Sequence, residues 1–496
     1  MSQENISSKQ PLIRYVNRQQ MSWRAVNVEK LIGDDHPARA IWALVGGLDL
    51  RRFYDNIESS AEEGGRPAID PQLLISLWVY AYSQGIGSAR EVARRCEYDP
   101  AFQWLTGLEE VNYHTLADFR VEKQNELDEL FTQVLAALSK EGLITLEQVM
   151  QDGTKIKALA STRSYHHAGT IREHLERARQ RVAEMGDPRS EELNPRARQA
   201  RARARQEQQK RLEDALEEVE KLQARRKGKK AKSAARVSTG DPQARVMHQS
   251  DGGLALSYNV QISADGAQGL ILGVAVTQEV NDNAQLVPAV ERVEERLKRK
   301  PQQVLADAGY STREAIEAMA ERKIDFLGSL VAEEKLSRAD AMNRLPPSAF
   351  AFDREQDCFI CPEGKLLGYE GRHTKVKGFT YYRYEAEWRD CQSCVRKPQC
   401  CPENQKQGRS VVRGEESAVM LAFRQKMASE EAQAQYRRRG RVVEFCHAWI
   451  KSKLGLRQFH VRGLAKVQME MLWACLTYNL QHWIRLSKLR AAPAAA

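Results

Sequence analysis

The stretch Val149-Met150-Gln151-Asp152-Gly153-Thr154-Lys155 decides how this chain of 496 residues is organised. An apolar, β-prone run ends there on an acidic residue, which is followed at once by glycine. The pattern returns in Val304-Leu305-Ala306-Asp307-Ala308-Gly309-Tyr310, where a second short run ends on Asp307. Sheets with helical crossovers carry their chemistry at strand ends, so both carboxylates should lie at one rim. The alternative is that each aspartate only caps the loop that follows it.

An α/β core should extend around these two strands, over residues 141–330. Helical patterns at 284–299 and 313–322 separate the β-prone runs, which is typical of an α/β domain. The predicted strands are 144–150, 258–263, 270–276, 304–306 and 325–330.

Residues 1–140 favour a helical N-terminal domain. Asp70 and Ser88 are placed to cap helices, and a long helix should run from Tyr113 to about Lys140. Short helices with tight turns fit a DNA-reading helix–turn–helix as well as an ordinary bundle. Basic side chains that could contact phosphates favour the first interpretation; they are Arg90, Arg94, Arg95, Arg120 and Lys123.

The charge balance also indicates a polyanionic partner. Lys and Arg number 76 against 66 Asp and Glu, a formal net charge of +10. This favours nucleic acid, although a basic enzyme without such a partner has the same balance. No apolar run approaches the ~20 residues of a membrane span, and the first residues lack a secretory signal, so we expect a cytoplasmic protein.

Two insertions interrupt the predicted core. Residues at about 170–235 are mostly helix formers and charges, which predicts a helical hairpin or coiled-coil arm with a turn at Asn194-Pro195. The basic run at 225–232 within it is either a solvated linker or a DNA contact.

The second insertion, at about 331–410, holds six of the nine cysteines. Two Cys-x2-Cys pairs within it suit a tetrahedral Zn²⁺ site, which would help a segment poor in apolar residues to fold. Unligated thiols or an iron–sulfur cluster are the alternatives. The six are Cys358, Cys361, Cys391, Cys394, Cys400 and Cys401.

Residues 411–490 are predicted to be helical, and residues 491–496 to be a disordered tail. Glu444 would approach the aspartates from a helix packed on the sheet, which would complete a site for two divalent cations. Lys451 lies seven residues further, two helical turns along, with Tyr436 and Arg439 on the preceding turns. The alternative is a solvated basic helix face. Glu470 is the next candidate should Glu444 not be the third carboxylate.

These motifs together resemble bacterial insertion-sequence transposases of the DDE type, whose catalytic core has the ribonuclease-H-like fold. The resemblance covers nearly the whole chain. The matching stretches are 66–71 and 115–120, 152–155, 241–245 and 258–261, 306–310, 443–444 with 450–451, 462–464 and 478–480.

The resemblance implies a DNA transposase with a multidomain α plus α/β fold. Asp152, Asp307 and Glu444 would be catalytic and would bind Mg²⁺ or Mn²⁺. Structural Zn²⁺ would lie in a zinc-ribbon-like insertion on Cys361, Cys391, Cys394 and Cys400, with Cys358 and Cys401 additional. DNA would be bound by Arg94, Arg95, Arg120, Tyr436, Arg439 and Lys451.

The implied partners are DNA, at terminal inverted repeats and at the target, and further copies of the chain in a homodimer or higher oligomer. A bacterial, nucleoid-associated location follows when DNA is bound. In a related subgroup three residues separate the Arg from the Glu, whereas four separate Arg439 from Glu444. A metal-dependent nuclease without joining activity and a non-catalytic DNA-binding regulator remain alternatives.

Overall fold

The computed structural model describes residues 25–55, 67–184, 195–330, 345–401, 407–414 and 417–491, with the isolated positions 18, 19, 21 and 57. Of the predicted disordered tail at 491–496, Ala491 ends a helix instead, and the rest lies outside this described part, as does the predicted turn residue Asn194. None of the described helices is long and apolar enough to cross a membrane.

Seven helices form the described N-terminal part. Asp70 accepts a hydrogen bond from the backbone of Gln72, and Ser88 from that of Glu91, so both predicted caps are confirmed. The single long helix predicted from Tyr113 is wrong, because the chain breaks at Lys123 and starts a second helix. The helices are α1 (Pro37–Gly46), α2 (Arg51–Tyr54), α3 (Pro71–Ser83), α4 (Ala89–Tyr98), α5 (Pro100–Thr106), α6 (Tyr113–Glu122) and α7 (Gln124–Lys140).

A six-stranded mixed sheet forms the centre of the molecule, and the predicted α/β core is confirmed at this level. Strand β1 (Gln148–Lys157) lies in the middle, antiparallel to β5 and parallel to β7. Strands β4 and β6 pair with the other edge of β5, and β8 pairs with β7. Their bounds, with those of the two helices between them, are β4 (Arg245–His248), β5 (Leu254–Asp265), β6 (Ile271–Thr277), α11 (Leu286–Leu297), β7 (Gln303–Ala306), α12 (Arg313–Glu321) and β8 (Asp325–Gly328).

The predicted helical arm is present as an antiparallel hairpin. Its helices bury a narrow stripe that includes Leu175, Leu212 and Val219. A two-stranded ribbon closes its base, and part of the basic run at 225–232 forms a short helix. The elements are β2 (Tyr165–His167), α8 (Ala168–Ala183), α9 (Pro195–Arg225), α10 (Lys229–Ser233) and β3 (Arg236–Ser238).

The cysteine-rich insertion folds as a separate five-stranded antiparallel sheet with its own small core. Its last strand follows residue 409, so the sheet extends a few residues past the predicted boundary at 410. We call this unit the cysteine module. Its elements are β9 (Ala351–Asp353), β10 (Cys358–Ile360), β11 (Leu366–Val376), β12 (Phe379–Ala386), α13 (Trp388–Gln392), α14 (Lys397–Cys400) and β13 (Ser410–Gly414).

Three helices complete the fold: α15 (Ala418–Ala428), α16 (Glu430–Ala448), which runs into a π-helical turn at Trp449–Lys453, and α17 (Leu464–Ala491). Helix α17 is buried between the N-terminal helices and β6, and the indole of Trp473 donates to the backbone oxygen of Arg120. One continuous apolar core therefore spans the N-terminal helices and the central sheet. The N-terminal helices do not form a core of their own.

Candidate active site

The two aspartates lie side by side at one point of the sheet. Gln151 pairs with Ala306 in the parallel register of β1 and β7, so the next residue on each strand is Asp152 or Asp307. Strand β7 ends there as predicted, whereas β1 continues to Lys157. The prediction that Asp152 ends its strand is therefore wrong, because antiparallel pairing with β5 carries β1 further.

A third carboxylate, which the sequence analysis missed, joins them from the loop before α11. Asp282 accepts hydrogen bonds from Asn259 Nδ2 at 2.7 Å and Gln261 Nε2 at 2.6 Å, both on β5. A side-chain carbon at Gly153 would lie 2.7 Å from an Asp282 oxygen, so glycine leaves room for this carboxylate at its present position. The Asp-Gly pair in β1 thus permits a close approach instead of making a turn.

A buried polar network supports the carboxylates from inside the sheet. Gln151 Nε2 donates to Gln261 Oε1 at 3.0 Å, and Ser263 Oγ donates to Gln151 Oε1 at 2.6 Å. The hydroxyl of Tyr310 also donates to Gln261 Oε1. Because Gln261 in turn donates to Asp282, this network fixes the loop carboxylate relative to β1.

Cations surround the carboxylates. Lys155 Nζ lies 3.6 Å from Asp282, and Arg439 Nη1 lies 3.4 Å from Asp152. Lys377, at the tip of the β11–β12 hairpin of the cysteine module, donates to the backbone oxygen of Ala308 beside Asp307. Burial lowers the pKa of the Lys377 amine, and the carboxylates of Asp307 and Asp282 offset only part of this effect. The site therefore contains closely spaced charges of both signs.

Burial and crowding perturb the acid–base behaviour of this site. Burial raises the pKa of Asp152 to about 6; Arg439 and the Gly153 amide oppose the change, and Asp307 and Asp282 add to it. Burial also lowers the pKa of His447 to about 3, assisted by Lys451 and Arg439. His447 is therefore neutral near pH 7, with Nδ1 3.9 Å from Asp152.

The structure does not bring Glu444 to the aspartates in the way predicted. Arg439 and His447 face Asp152 from one turn on either side of buried Val443, and Glu444 lies about 100° further around the helix. Its side chain is exposed and folds back along α16, with one oxygen 3.1 Å from where a side-chain carbon on Gly440 would lie. Glu444 therefore lies beside the site instead of in it.

The residues around Glu444 that were predicted to bind DNA differ in their surroundings. Arg439 pairs with Asp152 and is 16% exposed, and its guanidinium lies over the Tyr436 ring at 5.8 Å. The predicted contacts of Tyr436 and Arg439 to flanking phosphates stay a prediction, and a phosphate would have to replace the Arg439–Asp152 ion pair. Lys451 lies in the π-helical turn, where burial lowers its pKa and Arg457 and Lys155 add to the effect.

Arg120 was predicted to contact DNA, but its side chain is buried. Only 5% of it is exposed; it donates to the backbone of Gly87 and stacks 4.7 Å from the Trp78 ring. Arg95 pairs with Glu91 and Asp99, while Arg94 remains largely exposed and pairs with the carboxylate of Glu91.

The fallback carboxylate Glu470 is excluded as a catalytic group in this structure. It is fully buried and accepts hydrogen bonds from the backbone and the ring of His460. It holds the turn before α17 in place.

The cysteines converge on a small cavity of about 30 Å³ inside the cysteine module. Five thiols line this cavity: Cys361, Cys391, Cys394, Cys400 and Cys401. Cys358 is not among them, in line with its predicted additional role, but Cys401 was also predicted to be additional and lies in the cavity. Its thiol interacts with Cys400 and Cys391, and the first of these contacts is the main cause that raises its pKa.

The described residues contain no group of three or more His, Cys, Asp or Glu side chains already arranged to hold a metal ion. The donor chemistry still fits: carboxylate oxygens suit Mg²⁺, and thiolates suit Zn²⁺. The raised pKa of Asp152 reflects its burial first and the repulsion from Asp307 and Asp282 second, and a bound divalent cation would relieve this repulsion.

Two family models match the chain. The family described as Transposase DDE domain matches residues 360–484, and the family described as Transposase domain (DUF772) matches residues 26–122. The matches support an insertion-sequence DDE transposase. The first match includes Glu444, Lys451 and most of the cysteine module, and the second includes α1 to α6. Asp152 and Asp307 lie outside both matched ranges. A comparison with curated proteins found no match.

Proposed function

We propose that this transposase cuts DNA at the ends of its element and joins the freed 3′-hydroxyls to target DNA. Asp152, Asp307 and Glu444 are the proposed catalytic carboxylates, on a core of ribonuclease-H-like type. The observation that carries the proposal is the parallel register of β1 and β7, which sets Asp152 and Asp307 next to each other among cations.

A divalent cation, Mg²⁺ or Mn²⁺, bound by these oxygens would supply charge neutralisation at the phosphate and a more acidic water. Asp152 and Asp307 are its main proposed ligands, because the pairing of β1 and β7 fixes the positions of both. Asp152 has to be deprotonated for this role, and its pKa of about 6 places that change just below neutral pH.

The cations of the site are suited to bind the non-bridging oxygens of a phosphodiester. Arg439 now neutralises Asp152 and would be released when a metal takes over that carboxylate, while Lys155 would stay beside Asp282. A phosphate would then find their positive charges already in position, which is how electrostatic preorganisation lowers a barrier.

Glu444 and Asp282 are the two candidates for the third carboxylate. Glu444 can enter the site only if its side chain turns away from Gly440 toward His447, whereas Asp282 is already there. We retain Glu444 as the catalytic residue and assign Asp282 the role of positioning Lys155 and the loop over Gly153.

Zn²⁺ is proposed for the cysteine module, held by four of the five thiols that line its cavity. DNA is the proposed partner in a cytoplasmic setting. Two or more copies of the chain would be needed to pair the two ends of an element.

The test is a cleavage and strand-transfer assay on the DNA that flanks the coding sequence, with Asp307→Ala and Glu444→Gln as variants. Both variants should bind DNA and lose cleavage, since binding depends mainly on Lys and Arg contacts to phosphates. Cleavage without joining would mean a nuclease, and DNA binding without cleavage by the wild-type protein would mean a regulator. Near-normal cleavage by Glu444→Gln would remove it from the site and leave Asp282 as the third carboxylate.

A further inference from the structure

A second basic feature lies away from the carboxylates, where the arm meets the core. A cleft of about 360 Å³ opens between α8, α9 and the segment before α17. None of the described residues that line it is acidic. Its cationic and titratable lining residues are His174, Arg177, Arg181, Arg211 and Arg462. We call it the arm cleft.

The arginines of the arm cleft are poorly neutralised by the protein. Arg177 and Arg462 donate their Nε groups to backbone oxygens, at 3.2 and 3.0 Å. Arg211 has a carboxylate only at 3.9 Å, that of Glu207.

The outer face of the same hairpin is different. Arg172 and Arg179 pair with Glu220 and Glu213 at 2.9 and 3.2 Å. The arm thus pairs its outer arginines with carboxylates and leaves inner ones to face the cleft, an arrangement that favours an anionic occupant.

The cleft is held open by the fold. Arg245 on β4 and Glu218 on α9 form an ion pair at 2.6 Å, with side chains only 15% and 16% exposed. Together with the β2–β3 ribbon at the base of the arm, this pair fixes the arm against the core. The helices that carry the positive groups are therefore in place before any ligand binds.

Strand β1 connects the cleft to the candidate active site. Arg462 donates to the backbone of Leu159, two residues beyond the end of β1, and Asp152 lies on that strand. The five residue-to-residue steps from Asp152 to Lys157 span about 17 Å at ~3.3 Å per step. Lys155 and Lys157 project from the same side of the strand between the two places. Two cations therefore lie along the strand between Asp282 and the cleft, on the face opposite to the side chain of Asp152.

We propose that the arm cleft binds the sugar-phosphate backbone of duplex DNA beside the phosphodiester held at Asp152 and Asp307. The inference rests on the proposed function for the position of that phosphodiester. The contact falls roughly five to seven base pairs from it, at ~3.4 Å per base pair. Contacts to the sugar-phosphate backbone position DNA without reading its sequence.

The experiment measures binding of the full-length protein to a random-sequence duplex of about 30 base pairs without divalent metal, as a function of salt. The double variant Arg177→Ala/Arg211→Ala should lower the slope of log K against log salt by about 1.8, two phosphates at ~0.9 each. The matched control Arg172→Ala/Arg179→Ala removes the same charge from the outer face and should change the slope little.

Equal slopes for the wild-type protein and the inner double variant overturn the inference. Equal losses in the inner and outer variants also overturn it, because net charge would then explain both. Tighter binding of an RNA duplex than of DNA would assign the cleft to another partner. Should the inner double variant misfold, Arg462→Gln tests the same cleft from outside the arm, with an expected loss of about 0.9.

The result is separable from the proposed function. A protein that shows the slope difference but does not cut DNA keeps the cleft and loses the catalytic proposal. A protein whose inner double variant binds, cuts and joins DNA as the wild type does keeps the catalytic proposal and loses the cleft.

Discussion

Replacing Asp152 with asparagine should stabilise the metal-free protein at neutral pH. The pKa of Asp152 rises from its usual 3.8 to about 6, so the folded state takes up a proton that the unfolded state releases. Between these two values the free energy of unfolding falls as pH rises, and above pH 6 the loss is complete. A difference of about two pH units corresponds to about 3 kcal/mol, at ~1.36 kcal/mol per unit. Asp152→Asn lacks this loss because it cannot ionise.

The measurement is thermal unfolding of wild type and Asp152→Asn at pH 4, 6 and 8 in a chelating buffer. The stabilisation should be near zero at pH 4 and reach its plateau above pH 6, with a rise in Tm of at least ~3 °C. Asp118→Asn, at an exposed position on α6, is the control and should change Tm little. Added Mg²⁺ should narrow the difference, because a cation that binds the folded wild type stabilises it.

Two results would refute this reasoning. One is a variant that is no more stable than wild type at pH 8. The other is a stabilisation that persists unchanged at pH 4, which would have to come from packing and not from ionisation.

Three further predictions concern neighbouring groups. Gly153→Ala should displace the Asp282 carboxylate, which lies 2.7 Å from where the added carbon would be, and should weaken Mn²⁺ binding measured by calorimetry while leaving the secondary structure intact. Arg439→Gln should move the pH dependence of cleavage to higher pH, because Arg439 lowers the pKa of Asp152, and an unchanged profile would contradict the ion pair. Cys401→Ser should reduce bound zinc more than Cys358→Ser, since only Cys401 lines the cavity; equal zinc contents would show that the cavity is not the site.

Much of the architecture could be predicted because local signals decide it. Asp70 and Ser88 cap their helices through their own side chains, and the strands that carry Asp152 and Asp307 follow short apolar runs. The break at Lys123 escaped prediction because the apolar pattern continues across it.

The rest of the site depends on contacts that the sequence does not reveal. Asp282 lies in a polar loop without an apolar run, and its signal, the glycine after Asp152, has the more common interpretation of a turn. Arg120 has the positive charge of a DNA-binding residue, but its side chain is buried against Trp78. Tertiary packing determines this contact.

The shared core also changes how sequence recognition by the N-terminal helices can be tested. Trp473 of α17 packs into these helices, so a fragment that ends near residue 140 would expose apolar surface that α17 normally covers. Substitution of exposed Arg94 in the full chain is the cleaner test of the predicted DNA contact.

The β11–β12 hairpin connects two hydrophobic cores. Leu367 and Tyr384 belong to the core of the cysteine module, while Phe379 near the hairpin tip belongs to the main core. The tip also places Lys377 against the residue that follows Asp307. We therefore expect damage to the thiols to disturb the loop after Asp307 through these two strands. We expect oxidation of the thiols to increase hydrogen exchange at the amide of Gly309, which donates a hydrogen bond to the carboxylate of Asp307. Unchanged exchange would show that the hairpin does not couple the cysteine module to this loop.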